Sequence, residues 1–372
     1  MHIGIPREIY KQEARVAITP EVAKKYVSQK HIVIIEKDAG IMANFSNDDY
    51  VKAGAQIGKK EDSLTCELIL KVHAPDDSEL KIMKPNSVLV SMLSPFDSEK
   101  LERIAQTGLT AFSLESIPRI TRAQGMDVLS SQANLAGYKS VLLAIHYYKR
   151  IVPMMMTAGG TLKAARVLII GAGVAGLQAI ATAKRMGAIV EASDVRPVAK
   201  EQVESLGAKF IDVPFETDNE REIAQGKGGY AQIMPSSWIK RQLMLVSERC
   251  KSSDIIITTA LIPGKPAPNL ISEETVKSMK PGSVLIDMAA EYGGNCKLTE
   301  CDKVVEKYGI TLVGLTNLPS MIATDSSMLY ANNIFNFVKL ISNKDSSLKI
   351  EHDDEIIKSC LMCSDGKLLR SN

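Results

Sequence analysis

The stretch Arg166-Val-Leu-Ile-Ile-Gly-Ala-Gly-Val-Ala-Gly176 restricts the fold of this chain more than any other. Four apolar β-formers, Val167 to Ile170, run directly into Gly171, Gly173 and Gly176, and an apolar helical pattern continues through Leu177, Ile180 and Ala183. Strand, G-x-G-x-x-G and helix in that order make the turn of a βαβ unit that holds a dinucleotide. Gly171 is expected to permit the tight turn, Gly173 the approach of backbone to a pyrophosphate, and Gly176 the close packing of helix on strand. The helix start offers unpaired N–H groups and a partial positive charge to the phosphates. The next strand, Ala188-Ile-Val-Glu-Ala, ends at Asp194, at the distance where an acid accepts from ribose hydroxyls. An acid there repels a 2′-phosphate and so favours NAD over NADP. Arg196, two residues on, pulls the other way.

The bulk numbers exclude several classes. The chain has 372 residues, long enough for about two to three domains. Lys+Arg 45 against Asp+Glu 43 leaves a net charge of +2, which argues against a strongly basic nucleic-acid binder. The N-terminus lacks a basic and apolar leader pattern. The uncharged run over residues 167–183, which no other run exceeds, is short for a membrane span and is explained by the dinucleotide turn. The six cysteines are scattered. Cys360-Leu-Met-Cys363 has no further ligands nearby at zinc-site spacing, so free thiols in a reducing cytoplasm are expected and no metal.

Along the chain, β and α patterns alternate, which predicts α/β architecture: two doubly wound Rossmann-like domains with parallel sheets, joined by long helices. Residues 1–126 with 326–372 form the first domain, which has no glycine fingerprint. Residues 127–325 form the dinucleotide domain with its linking helix. That helix is read over residues 127–150 from Leu129, Ala133, Ala136, Ser140, Leu143 and Tyr147. A second long helix is read over residues 326–340. The connection between Asp212 and Ser236 exceeds twenty residues and contains Gln225-Gly-Lys-Gly-Gly-Tyr230 and Met234. Such long connections are lids, binding loops or insertions. Three glycines around a lysine, with Tyr230 and Met234 to cover a ligand, favour a lid.

Two polar constellations stand out. Pro118-Arg-Ile-Thr-Arg-Ala-Gln-Gly-Met-Asp127, with Ser130, precedes the linking helix, at a domain junction of the kind where ligands bind. Gln124 and Asp127 can hydrogen-bond a carboxamide, and Arg119 can brace a ring or pair with Asp127. Equally, this is a charged loop with Asp127 as helix N-cap. Thr258-Thr-Ala-Leu-Ile-Pro-Gly-Lys-Pro-Ala-Pro268 follows a buried strand, at the end where α/β folds bind ligands. Leu261 is placed to pack on adenine or nicotinamide. Lys265 reads equally as a binding or a surface lysine.

Together these segments resemble the soluble NAD(H)-binding component, domain I, of proton-translocating nicotinamide nucleotide transhydrogenases. The resemblance runs from Ile5-Pro-Arg-Glu8 and Arg15-Val-Ala-Ile-Thr-Pro20 through the 118–124 loop, Ser130-Ser131 and Asn134-Leu-Ala-Gly-Tyr138, to the glycine turn, the 258–268 loop and Gly293-Gly-Asn-Cys296. It implies that Arg119, Gln124, Gly125, Met126, Asp127 and Ser130 hold the nicotinamide end of NAD(H), with Tyr138 beside them. It implies that Asp194, Val195 and Arg196 meet the adenosine ribose, and that Gly229, Tyr230 and Gln242 complete the pocket with Val174 and Leu261. The implied partners are a membrane-spanning proton-conducting subunit, an NADP(H)-binding domain and a second copy of the chain. The implied place is the cytoplasmic face of the inner membrane, in the split arrangement with the membrane parts on other polypeptides. Hydride is expected to pass directly from NADH to NADP+.

Alanine dehydrogenase shares several of these motifs and is the rival. Arg15 and Lys71 match its carboxylate clamp. Its reaction needs a proton donor as well as a hydride donor, and where its histidine should follow the strand this chain reads Val90-Ser-Met-Leu-Ser-Pro95. Its aspartate position is Glu291. Hydride exchange between two nicotinamides needs no acid. A third reading, an NAD-sensing module that only binds, is separated from both by testing for hydride exchange with a partner domain.

Overall fold

Short runs of β-branched residues separated by amphipathic segments build two parallel sheets, each covered by helices on both faces. The computed structural model describes residues 1–225, 233–343 and 347–369. In chain order the strands are β1 (His2–Ile5), β2 (Ile32–Glu36), β3 (Gln56–Gly58), β4 (Leu68–His73), β5 (Val88–Met92), β6 (Thr110–Ser113), β7 (Met155–Thr157), β8 (Gly160–Leu162), β9 (Arg166–Ile170), β10 (Ile189–Ser193), β11 (Lys209–Phe210), β12 (Ile255–Thr258), β13 (Val284–Asp287), β14 (Val304–Lys307), β15 (Ile310–Val313), β16 (Leu361–Ser364) and β17 (Lys367–Leu368). The chain forms two compact units: Met1–Gln132 with Pro319–Asn372, and Ala133–Leu318.

In the first unit the sheet order is β17-β16-β6-β5-β4-β1-β2-β3, parallel from β3 to β6 and closed at one edge by antiparallel β16 and β17. In the second it is β11-β10-β9-β12-β13-β15-β14, parallel except for β14. Each parallel set reverses direction of growth beside its first strand, the doubly wound Rossmann order. Central strands read as mainly apolar runs because both faces are covered. Leu68 and Leu70 of β4 point into one core with Val33, Phe112 and Phe337, while Ile69 points into the other with Leu89, Leu101 and Ile104. Val167 and Ile169 of β9 likewise part from Leu168 and Ile170.

The linking helix spans Val128–Tyr147 and starts in the first unit. Its opening turn is held there by Gln132, whose amide accepts from Arg15 at 2.8 Å and donates to the Ser326 carbonyl at 3.1 Å. The chain leaves the second unit at Leu318, and the helix Ala323–Leu340 follows inside the first.

Two features differ from the sequence expectation. The connection between Asp212 and Ser236 is not wholly irregular: Thr217 caps a helix over Asp218–Ala224. Met234, read as a lid residue, is buried with Trp238, Val213 and Ala224 in a small apolar cluster. The C-terminal segment, expected within the first domain, supplies the helix Glu355–Cys360 and strand β16 of the first sheet. Residues 226–232, including Gly229 and Tyr230, and with them the expected lid, lie outside the described residues.

Candidate functional site

In the second unit β9 turns at Gly171 into the helix Val174–Arg185 beside the point where the strand order reverses. Gly171 has φ +99°, and a Cβ there would stand 2.6 Å from the Thr259 hydroxyl. A Cβ on Gly176 would stand 1.9 Å from the Gly171 carbonyl oxygen, so helix and turn touch through backbone. Gly173 is the N-cap of the helix in an extended conformation open to any residue. A Cβ on Gly173 would meet only Arg196 Nη2, at 3.9 Å. Its glycine is not required by the packing of the chain itself, and the space in front of it is open at a helix N-terminus, where anions are favoured. The fingerprint fits a dinucleotide pyrophosphate on this ground.

The acid at the end of the next strand is engaged on both oxygens. Asp194 Oδ2 accepts from the Ala172 N–H at 2.7 Å, inside the glycine turn, and from Arg196 Nη2 at 2.9 Å. Oδ1 accepts from the Arg196 N–H at 2.8 Å and from its Nε at 2.9 Å. Asp194 thus shapes the turn. Its hydrogen bonds and charge hold the Arg196 guanidinium above its ordinary pKa against the opposing effect of burial. Val195 packs against the small cluster around Trp238. Gln242 is buried in the helix Ser236–Ser252, and Leu261 is exposed on the 258–268 loop.

Sequence reasoning passed over the group that fixes that loop. Asp287, fully buried at the end of β13, accepts from the Thr258 hydroxyl and from the N–H groups of Ala289, Asn295 and Cys296, each at 3.0 to 3.1 Å. Asn295 then clamps the loop: it accepts from the Ala260 N–H at 3.1 Å and donates to the Ala260 and Pro268 carbonyls at 2.9 and 2.8 Å. The available signal was an aspartate closing an all-apolar strand, with Gly293-Gly-Asn-Cys296 close behind.

In the first unit the second constellation is a 3-10 turn, Thr121–Met126, leading into the Val128–Tyr147 helix. Asp127 does cap that helix. Its carboxylate accepts from the Ser130 N–H at 2.9 Å and from the Ser130 hydroxyl at 2.5 Å. The Gly125 carbonyl accepts from Asn333 at 2.9 Å and Asn336 at 3.0 Å. Arg119 and Gln124 are exposed, and the Gln124 side chain makes no hydrogen bond among the described residues. Met126, Asp127 and Ser130 are half-buried, and Tyr138 is exposed further along the helix. Structural capping and an outward-facing amide therefore coexist in this loop.

The cations that would clamp a substrate carboxylate are engaged by the chain's own acids. Buried Arg15 makes two side-chain bonds to Glu13, at 2.9 and 2.7 Å, and a third to Gln132. Lys71, fully buried, lies 2.9 Å from Glu79 and 3.7 Å from Glu8. Burial works against the Lys71 charge, but Glu8 and Glu79 outweigh it and hold its pKa above the ordinary value. Beyond β5, Leu93 is fully buried and its N–H, with that of Ser94, goes to Glu115. Burial raises the Glu115 carboxyl, against the opposing hydrogen bonds from Ser113, Ser94 and Leu93.

Two family models cover nearly the whole chain: the N-terminal domain of alanine dehydrogenase/PNT over residues 4–136 and the C-terminal domain over residues 140–371. The chain belongs to the alanine dehydrogenase/PNT family. It is 46% identical over 378 residues to an NAD(P) transhydrogenase subunit alpha chain of Rhodospirillum rubrum, covering 99% of this chain and 98% of that one. The solved transhydrogenase of Sinorhizobium meliloti superposes with a TM-score of 0.89 at 43% identity, over 99% of this chain and 100% of that one. A solved L-alanine dehydrogenase superposes with a TM-score of 0.81 at 25% identity, over 99% and 97%. Within the family this chain therefore stands nearer to the transhydrogenase members than to that dehydrogenase. Among the described residues no helix is long and apolar enough to cross a membrane, and no group of three or more His, Cys, Asp or Glu side chains could hold a metal ion.

Proposed function

We propose that this chain is the NAD(H)-binding component of a proton-translocating nicotinamide nucleotide transhydrogenase and delivers hydride from NADH directly to NADP+ on a partner domain. The observation that carries the reading is the turn at Gly173, open where a side chain would stand and set between a helix N-terminus and Asp194. The 46% identity to a transhydrogenase alpha subunit supports the choice of reaction. Bound nicotinamide supplies the hydride; the chain binds, orients and excludes water.

Gly171, Gly173, Val174 and Gly176 receive the pyrophosphate, and Asp194, Val195 and Arg196 the adenosine ribose. Gln242 and Leu261, with Gly229 and Tyr230, complete the pocket. Arg119, Gln124, Gly125, Met126, Asp127 and Ser130 hold the carboxamide end, with Tyr138 beside them. None of these is asked for a proton, since hydride passes between two nicotinamides. The reading places the chain at the cytoplasmic face of the inner membrane, held there by a proton-conducting membrane subunit, and pairs it with an NADP(H)-binding domain and a second copy of itself. The exposed Met155, Met156 and Leu162 of the β7–β8 hairpin and the preceding Met154 favour a protein partner for this surface.

The test is Gln124→Asn, which keeps the amide and shortens its reach by one methylene. Single-turnover transfer to NADP+ on the partner domain should slow at least tenfold, with NADH affinity changing less than threefold, because alignment governs transfer. Transfer at the wild-type rate would remove Gln124 from the site. NADH oxidation by the chain alone with pyruvate and ammonia would overturn the whole assignment in favour of alanine dehydrogenase.

A further inference from the structure

Behind the 119–130 loop, inside the first unit, the buried polar side chains form one chain with a consistent direction. Glu13 fixes the guanidinium of Arg15 through bonds to Nε and Nη2, and it also lies 2.7 Å from His73 Nε2. The bonds of Arg15 and His73 hold the Glu13 carboxyl well below the carboxylate range, overcoming the burial that acts in the opposite sense. Arg15 has a third donor, Nη1, which reaches Gln132 Oε1 at 2.8 Å. With its oxygen taken by a cation, Gln132 must turn its NH2 the other way, toward the Ser326 carbonyl at 3.1 Å and the Ser131 hydroxyl at 3.4 Å. Ser131 then donates its single proton to Asn333 Oδ1 at 2.7 Å, in preference to the Val128 carbonyl at 3.1 Å. That leaves the Asn333 NH2 facing the Gly125 carbonyl at 2.9 Å, where Asn336 joins it. Arg15, Gln132 and Asn333 are all less than a tenth exposed. Each amide in the series has one orientation only, because a flip would set oxygen against oxygen or NH2 against a guanidinium.

We propose that Arg15, Gln132, Ser131 and Asn333 are positioning residues for hydride transfer. They relay the fixed geometry of the Glu13–Arg15 pair to the Gly125 carbonyl, and so set the backbone from which Gln124 and Asp127 project. The inference rests on the nicotinamide-holding role given to that loop. It also assigns Arg15 a task other than clamping a substrate carboxylate.

The test compares Ser131→Ala, Ser131→Thr and Asn333→Leu in single-turnover transfer from NADH to NADP+ on the partner domain, alongside NADH titration and thermal melting. Ser131→Ala removes the relay proton with little change of volume. It should slow transfer about fivefold to tenfold while leaving the NADH Kd within about twofold, the loss expected for one ordering hydrogen bond. Ser131→Thr keeps the hydroxyl and should return the rate to within about twofold of wild type. Asn333→Leu should slow transfer at least as much as Ser131→Ala; should it fail to fold, the two Ser131 variants decide alone. Wild-type transfer by Ser131→Ala overturns the inference, as does a loss that threonine does not restore or one that follows NADH affinity and melting temperature together. Gln124→Asn, measured in parallel, separates the failures. If it slows transfer while Ser131→Ala does not, the relay alone is wrong; if neither slows it, the role of the loop falls and the relay with it.

Discussion

Gly173 and Gly176 belong to one motif, yet the structure gives alanine opposite consequences at the two positions. At Gly176 an added Cβ would lie 1.9 Å from the Gly171 carbonyl oxygen and 2.9 Å from its carbon. Both are backbone, so the Val174–Arg185 helix must move off the turn by more than about 1 Å, and overpacking on that scale costs about 1–3 kcal/mol or more. At Gly173 the backbone is already extended and the Cβ meets only Arg196 Nη2, at the ordinary contact distance of 3.9 Å. Gly173→Ala should therefore fold as well as wild type, or gain about 0.4–1 kcal/mol from the stiffer unfolded chain. Its methyl group, however, fills the space assigned to the pyrophosphate. NADH binding should weaken at least tenfold, about 1.4 kcal/mol. Urea titration followed by circular dichroism gives the stabilities, and NADH fluorescence titration gives the affinities. Tight NADH binding by a folded Gly173→Ala would refute the placement of the pyrophosphate against this turn. A Gly176→Ala variant of undiminished stability would refute the packing argument.

Three further outcomes are expected. NADH should bind at least tenfold more tightly than NADPH, since Asp194 repels a 2′-phosphate; equal dissociation constants would mean that Arg196 releases Asp194 and takes that phosphate. Glu13→Gln should lower stability at pH 7. The folded-state pKa of Glu13 is depressed, so its contribution is complete above the ordinary unfolded value of about 4.3 and is withdrawn only as pH falls below it; urea midpoints of variant and wild type that already converge between pH 7 and pH 5 would contradict this sign. Asp287→Asn should misalign the 258–268 loop, because an amide cannot accept from all of Thr258, Ala289, Asn295 and Cys296. Weaker NADH binding together with faster amide exchange around Ala260 is the expected signature, and unchanged exchange there would show that Asp287 does not hold the loop.

What the sequence made legible was local and covalent. The glycine turn, its flanking strand and helix, and the acid at the next strand end are contiguous or nearly so, and each has a mechanism that works over a few residues. The apolar runs of β9 and β12 announced buried strands. Pairings between distant segments were not readable in this way. Strand β16 joins β6 across about 250 residues of chain, and its Cys363 is buried beside that pairing. The short helix Asp218–Ala224 was hidden in a long polar connection whose only local sign was Thr217 followed by acids. At the candidate site, Asp127 was visible as a cap, but its pairing with Ser130 was not. The service of Asp287, and the relay from Glu13 to Gly125, depend on burial and on residues brought together from several elements, which no spacing along the chain encodes.

The central claim is direct transfer of hydride from one nicotinamide to another, and an isotope measurement tests it most directly. NADH carrying deuterium on the transferable face of C4 is mixed with this chain, NADP+ and the NADP(H)-binding partner domain in ordinary water, and the NADPH formed is analysed by mass spectrometry. The account predicts NADPH that retains the deuterium almost completely, with no exchange into solvent and no requirement for a keto acid. Deuterium-free NADPH, or no NADPH at all while NADH is oxidised only when pyruvate and ammonia are supplied, would contradict it.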